Sequence, residues 1–186
     1  MMQTLDLARH LALFALLVAA LYLDLAHGRV PDALTYGALT VGLVLHTLAG
    51  GWLQGNLRAC LTDRALMGLA NALLGAGVAF LLFLPFVLKG GFGGGDLKLM
   101  TAAGALLGLR VTLVALVLTS GVGAAIALAL LVWKGRFLEG LKGSFSLIRR
   151  LGKGPGTSGA ASLSFRYVPA IAAGTTWAWY LEYVRA

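Results

Sequence analysis

The chain of 186 residues is 59% hydrophobic and 12% charged, with 15 basic residues against 7 acidic ones and a formal net charge of +8. A soluble domain of this size has no interior large enough to hide that much apolar surface, so lipid is the expected solvent. The single cysteine, Cys60, excludes an internal disulfide framework, a CxxC metal site and an iron–sulfur cluster.

Apolar runs fall at 7–23, 34–52, 65–88, 97–109, 111–133 and 168–184, to be compared with the roughly 20 residues that cross a bilayer. Each is predicted to be a helix, because lipid offers no partner for an unpaired backbone group. The first run, with Arg9 near its start, resembles a signal peptide, but no small-residue cleavage site follows and five more runs favour a retained helix. The second carries His46, read as a packed histidine. The third and fifth are the strongest spans. Between the third and fourth lies GGFGGGDLKLM, residues 90–100. The fourth, LKLMTAAGALLGL, is short, and is re-entrant unless the glycine stretch itself lies in the membrane. The expected fold is an all-α, polytopic membrane bundle of about six transmembrane helices, with a glycine-rich loop before the fourth. Residues 1–186 make one integral-membrane domain.

The sizeable polar segment runs over 134–166 and holds Lys134, Arg136, Lys142, Arg149, Arg150, Lys153 and Arg166 against one acid, Glu139. Basic residues mark cytoplasmic loops, which places this segment inside the cell and both termini outside. Arg29, Lys89 and Lys98 join the cytoplasmic set, making ten, against five outside: Arg9, Arg58, Arg64, Arg110 and Arg185. Such a loop is expected to lean on anionic lipid. It has no aromatic-interleaved patch or fold signature for nucleic acid, which is excluded as a partner.

Asp6 and Asp63 sit in outer flanks and read as solvated helix ends. Asp24 closes the first apolar run, and Asp96 opens the fourth. Two helices separate them, so both emerge on one membrane face, and this parity survives a re-entrant fourth segment. Two carboxyl groups close together in a partly dry site cannot both ionise cheaply, so one stays protonated. The anionic member can take a proton from water while the neutral one hydrogen-bonds a carbonyl, the division of labour of an aspartic protease. Gly93, Gly94 and Gly95 would then let the backbone approach an extended substrate strand and adopt conformations other residues resist. The bland alternative makes Asp96 only the N-cap of the following helix. Lys98 is grouped with these glycines at the substrate side, although its default reading is a lysine reaching to the membrane interface.

Other chemistries fail on their residues. Gly95 is followed by aspartate, which would repel a phosphate, and HExxH is absent. The tetrad Gly156-Thr157-Ser158-Gly159 fits a GxSG nucleophile pattern but lies in the polar segment, with His10, His27 and His46 all earlier. His27 reads as a solvated turn histidine. No metal or cofactor is expected.

Three ordered stretches resemble the type IV prepilin peptidases, membrane aspartyl proteases of the GxGD class, and most of all their short branch serving tight-adherence pili. They are Asp24 followed by Val30-Pro31-Asp32-Ala33-Leu34-Thr35, then Gly93-Gly94-Gly95-Asp96-Leu97-Lys98, then Arg166-Tyr167-Val168-Pro169-Ala170. The resemblance implies catalytic roles for Asp24 and Asp96 and cleavage of pilin-like precursors at the cytoplasmic face of a prokaryotic inner membrane. Such precursors carry a short basic leader, are cut after a glycine and continue as an apolar helix. Longer relatives add a domain with paired CxxC motifs that methylates the new N-terminus; with only Cys60, peptidase activity alone is expected. Two rivals come from other classes. An ion-coupled carrier could use the carboxylate pair, though no internal repeat supports it. A non-enzymatic assembly subunit could use the glycines for helix packing.

Overall fold

The computed structural model describes residues 2–51, 63–88, 93–133 and 167–184. Cys60, Gly90 to Phe92, and the basic segment 134–166 with its Gly156–Gly159 tetrad lie outside the described residues. Each apolar run forms a helix: α1 (Met2–His27), α2 (Asp32–Gly51), α3 (Asp63–Leu88), α4 (Gly94–Leu107), α5 (Leu109–Trp133) and α6 (Val168–Tyr183). Among the described residues there is no strand. Residues 7–27 of α1, 66–88 of α3 and 109–129 of α5 are long and apolar enough to cross a membrane. The architecture is therefore the expected polytopic helical bundle, with three span-capable helices and shorter ones packed among them.

Glycine sets the two tight breaks. α1 stops where Gly28 takes φ 67°, its N–H donating to Asp24 O at 2.8 Å, an αL helix ending that a side chain would resist. α4 stops at Gly108, φ 76°, and α5 starts at the next residue. After the first break, Pro31 cannot continue α1 and instead opens α2, where Thr35 Oγ1 donates to Asp32 O at 3.0 Å.

α1 shows how packing orients a functional residue. Leu13, Leu17, Ala20 and Asp24 recur at helical spacing and are all buried, whereas Leu11, Val18, Tyr22 and Leu25 are exposed. Asp24 thus lies on the stripe that faces protein. Lipid is as apolar as leucine, so these helices associate through close packing and hydrogen bonds instead. Gly75 of α3 meets the backbone of Gly104 and Gly108, Gly42 of α2 meets Ala105 and Leu106, and Gly174 of α6 meets Thr119.

α4 is the hub, touching all five other helices, and ten of its 14 residues are buried. At 1.5 Å per residue it is about 21 Å long, too short to cross a core of about 30 Å. At least one of its ends therefore lies at depth, where backbone groups need protein partners. At its C-terminal end, His46 Nε2 meets Leu106 O at 3.1 Å and Thr112 Oγ1 donates to Gly104 O at 3.3 Å. The first N–H of α5, on Leu109, donates to Asn71 Oδ1 at 3.0 Å.

Candidate active site

The other end of α4 carries the carboxylate. Gly93 is the N-cap, in extended backbone at φ −75°, ψ 150°, and Asp96 is the third helical residue. The expected N-cap role thus falls one turn early: Asp96 reaches back, and its Oδ2 accepts the Gly93 N–H at 3.2 Å. This is one half of a capping box, which satisfies an orphan donor and fixes the carboxyl in space. Gly94 and Gly95 are helical and belong to the first turn rather than to a loop. None of Gly93, Gly94 and Gly95 has positive φ, so unusual backbone angles do not explain them. Bareness does. Among the described residues, a side chain on Gly94 would meet nothing within 4 Å, so none of them fills the space along this turn's backbone.

Asp24 arrives from the end of α1. It is 6% exposed and Asp96 is 8% exposed, and the two are close enough for their charges to act on each other. Asp24 Oδ2 is buried with no hydrogen-bond partner among the described residues. Neither carboxylate has a cation in ion-pair contact among those residues. Burying a carboxylate without compensation is costly, and such exceptions concentrate where chemistry is done. The same residues contain no cluster of three metal-ligating side chains.

Lys98, one turn beyond Gly94, does not reach freely toward an interface. Its Nζ pairs with Asp32 Oδ1 at 2.7 Å and sits 5.5 Å from the centre of the Tyr36 ring. The start of α4 is thereby tied to the start of α2, and Gly95 lies beside Val30 of the intervening turn, where an added Cβ would come to 3.8 Å. Sequence reasoning left Asp32 without a role. The parity that pairs Asp24 with Asp96 also puts Asp32 and Lys98 at one end, and was the signal available. Tyr167 was likewise missed. It is 6% exposed, donates its hydroxyl to Thr119 O at 3.1 Å, and lies within electrostatic reach of Asp96. Gly123 makes room for its ring. His27 is exposed, as expected of a turn histidine.

Residues 11–128 match the model of the type IV leader peptidase family, and this span contains both Asp24 and Asp96. Over 121 residues the chain is 34% identical to a prepilin leader peptidase/N-methyltransferase of Legionella pneumophila, covering 65% of this chain and 39% of that protein. Over 133 residues it is 35% identical to a prepilin leader peptidase/N-methyltransferase of Xanthomonas campestris pv. campestris, covering 68% and 41%. The chain spans about two fifths of the length of these curated relatives. No solved structure matches it. The likeness to the tight-adherence branch rests on the sequence motifs alone. The family itself rests on the matched span, well over half of the chain: this protein belongs to the type IV leader peptidase family.

Proposed function

We propose that the chain is a membrane-embedded aspartic endopeptidase that removes the leader from pilin-like precursors at the cytoplasmic membrane face. One observation carries this reading: in a member of a peptidase family, two buried carboxylates from α1 and α4 lie within electrostatic reach of each other at one end of the bundle, with no cation in ion-pair contact among the described residues. The pair shares one proton, since two carboxylates cannot both ionise cheaply in a partly dry site. The anionic member takes a proton from water, whose oxygen attacks the scissile carbonyl carbon. The neutral member donates a hydrogen bond to the carbonyl oxygen as charge builds there. The tetrahedral intermediate collapses when a carboxyl proton passes to the departing amine, with no covalent enzyme intermediate.

The remaining residues serve access. A peptide in a helix shields its carbonyls, so the bond must be presented in extended form. The bare backbone of Gly93, Gly94 and Gly95 leaves room for such a strand beside Asp96, and Lys98, held by Asp32, borders it. The basic segment 134–166 faces the cytoplasm and anionic lipid. Both curated relatives are named as peptidases and N-methyltransferases. For this chain we propose cleavage alone, because its single cysteine supplies no paired CxxC.

The test is to co-express the chain with a pilin-like precursor from the same genome and to record the intact mass and N-terminus of the pilin. Wild type should remove a leader after a glycine, and Asp24→Asn and Asp96→Asn, at equal membrane abundance, should not. Cleavage that persists in either variant would overturn the dyad. Adding a methyl donor to purified protein and precursor should leave the new N-terminus unmethylated; a methylated product would overturn the second half.

A further inference from the structure

His46 lies at the far end of α4 from the carboxylates, and its contacts are unusually informative about its form. The side chain is 4% exposed. Nε2 meets Leu106 O at 3.1 Å, and Nδ1 meets Arg9 Nη1 at 3.4 Å. A carbonyl oxygen can only accept and a guanidinium can only donate. The partners therefore assign the hydrogen to Nε2 and the lone pair to Nδ1, which is the neutral imidazole. Leu106 is the penultimate residue of α4, and its carbonyl is one of the last four that the helix cannot satisfy itself.

The partner of α4 in this contact is α2. Thr35, Gly42 and His46 are the buried residues along one face of α2, spaced seven and four apart. Gly42 packs against the backbone of Ala105 and Leu106, where an added Cβ would come to 2.9 Å from Ala105 C. At the opposite end, Asp32 at the start of α2 holds Lys98. The two helices run in the same direction and are fastened at both ends, by an exposed ion pair and by a buried imidazole. The second fastening acts on a backbone atom, so it restrains how far α4 can slide or turn along α2. Asp96 rides on that same rigid helix, ten residues from Leu106, about 15 Å along the axis.

We propose that His46, oriented by Arg9, is a positioning residue that sets the placement of α4 along α2 and so holds Asp96 opposite Asp24. The catalytic part of this inference rests on the peptidase reading above; the placement part does not. A small misplacement of a reacting group costs rate far more than binding, since binding energy comes from the whole substrate and rate from a narrow geometry.

Two measurements on the purified full chain in nanodiscs test it, with Cys60→Ser as background. In the first, spin labels on Leu25→Cys of α1 and Gly94→Cys of α4 report the distance distribution between the ends that carry the carboxylates. His46→Phe, which fills the site but has no donor, should broaden or shift this distribution. His46→Gln, whose amide can still donate to Leu106 O, should restore it. An unchanged distribution in His46→Phe would overturn the proposal whatever the chain cleaves. In the second, on unlabelled protein, His46→Phe should lower kcat for the precursor roughly 10- to 100-fold with KM little changed. His46→Gln should recover most of the loss, and Arg9→Met should fall between. Equal kcat in all variants, or a loss in KM alone, would overturn the catalytic part. If the distances move as expected while wild type leaves the precursor uncut, the peptidase reading fails and the placement role of His46 stands.

Discussion

α4 and α5 follow one another with only Gly108 between them, yet they are opposite kinds of membrane helix. α5 has 25 residues and presents Leu113, Val117 and Leu128 outward; lipid satisfies it, and it carries no ionisable group beyond Arg110 near its start. α4 has 14 residues, ten of them buried, and takes its stability from neighbours: Gly75 and Gly104 in backbone contact, His46 at one end and Asp32 at the other. A lipid-facing helix needs only hydropathy. A helix enclosed by protein can end inside the membrane with a carboxylate on its first turn. The price is a set of partners for every polar group it exposes at depth.

The comparison predicts that losing a carboxylate at the α1–α4 site removes activity, whereas disturbing helix packing or the lipid face removes folded, inserted protein. The largest effect is expected for Asp96→Asn and Asp24→Asn. Each should slow leader cleavage by about 1000-fold or more, the upper range for an acid–base group, with membrane abundance and thermal unfolding near wild type. A variant that lost abundance in step with activity would make these carboxylates structural. Gly104→Val comes next. Its Cβ would sit 2.6 Å from Gly75 O and 2.9 Å from Gly75 C, and backbone cannot rotate away as a side chain can. The helices must separate, at a cost of about 3 kcal/mol or more, the upper end of overpacking. A lower unfolding temperature in detergent measures it, and unchanged unfolding would remove α4 from its place against α3. Val117→Asp on the lipid face of α5 should cost about 3 kcal/mol of membrane insertion. Membrane abundance should fall while cleavage per inserted molecule holds. Normal abundance of that variant would mean that Val117 faces protein or water.

How much of this was legible in the sequence follows the same division. The helices that face lipid were found by hydropathy and length, and α3 and α5 coincide with the runs read at 65–88 and 111–133. α4 was legible as a short segment, but its start was placed at Leu97. Glycine disfavours a helix by about 1 kcal/mol, so Gly94 and Gly95 read as loop. The cap that Asp96 makes on the Gly93 N–H closes the first turn and carries the helix back to Gly94. The pairing of Asp24 with Asp96 was recoverable because counting helices fixes which ends share a face, without any knowledge of packing. The contacts of His46 and Tyr167 were not recoverable. Both reach backbone oxygens, on Leu106 and Thr119, and a backbone acceptor has no residue identity for a sequence pattern to register.

The smallest effect concerns the tie between Lys98 and Asp32, and it tests whether the exposed fastening of α4 matters as the buried ones do. The two side chains are 35% and 62% exposed, so water and salt compete with the 2.7 Å contact and leave it weak. If Lys98 acts only through this tie, then Lys98→Met, Asp32→Asn and the double variant should give the same cleavage rate, each within about fivefold of wild type at physiological salt. Raising the salt concentration should bring wild type toward the variants. If Lys98 instead meets the substrate, Lys98→Met should raise KM beyond the effect of Asp32→Asn, and the double variant should follow the lysine. The two outcomes differ in sign as well as size, because removing Asp32 would release a lysine that binds substrate. A KM lowered in Asp32→Asn and raised in Lys98→Met would therefore move Lys98 from the scaffold of α4 to its substrate side.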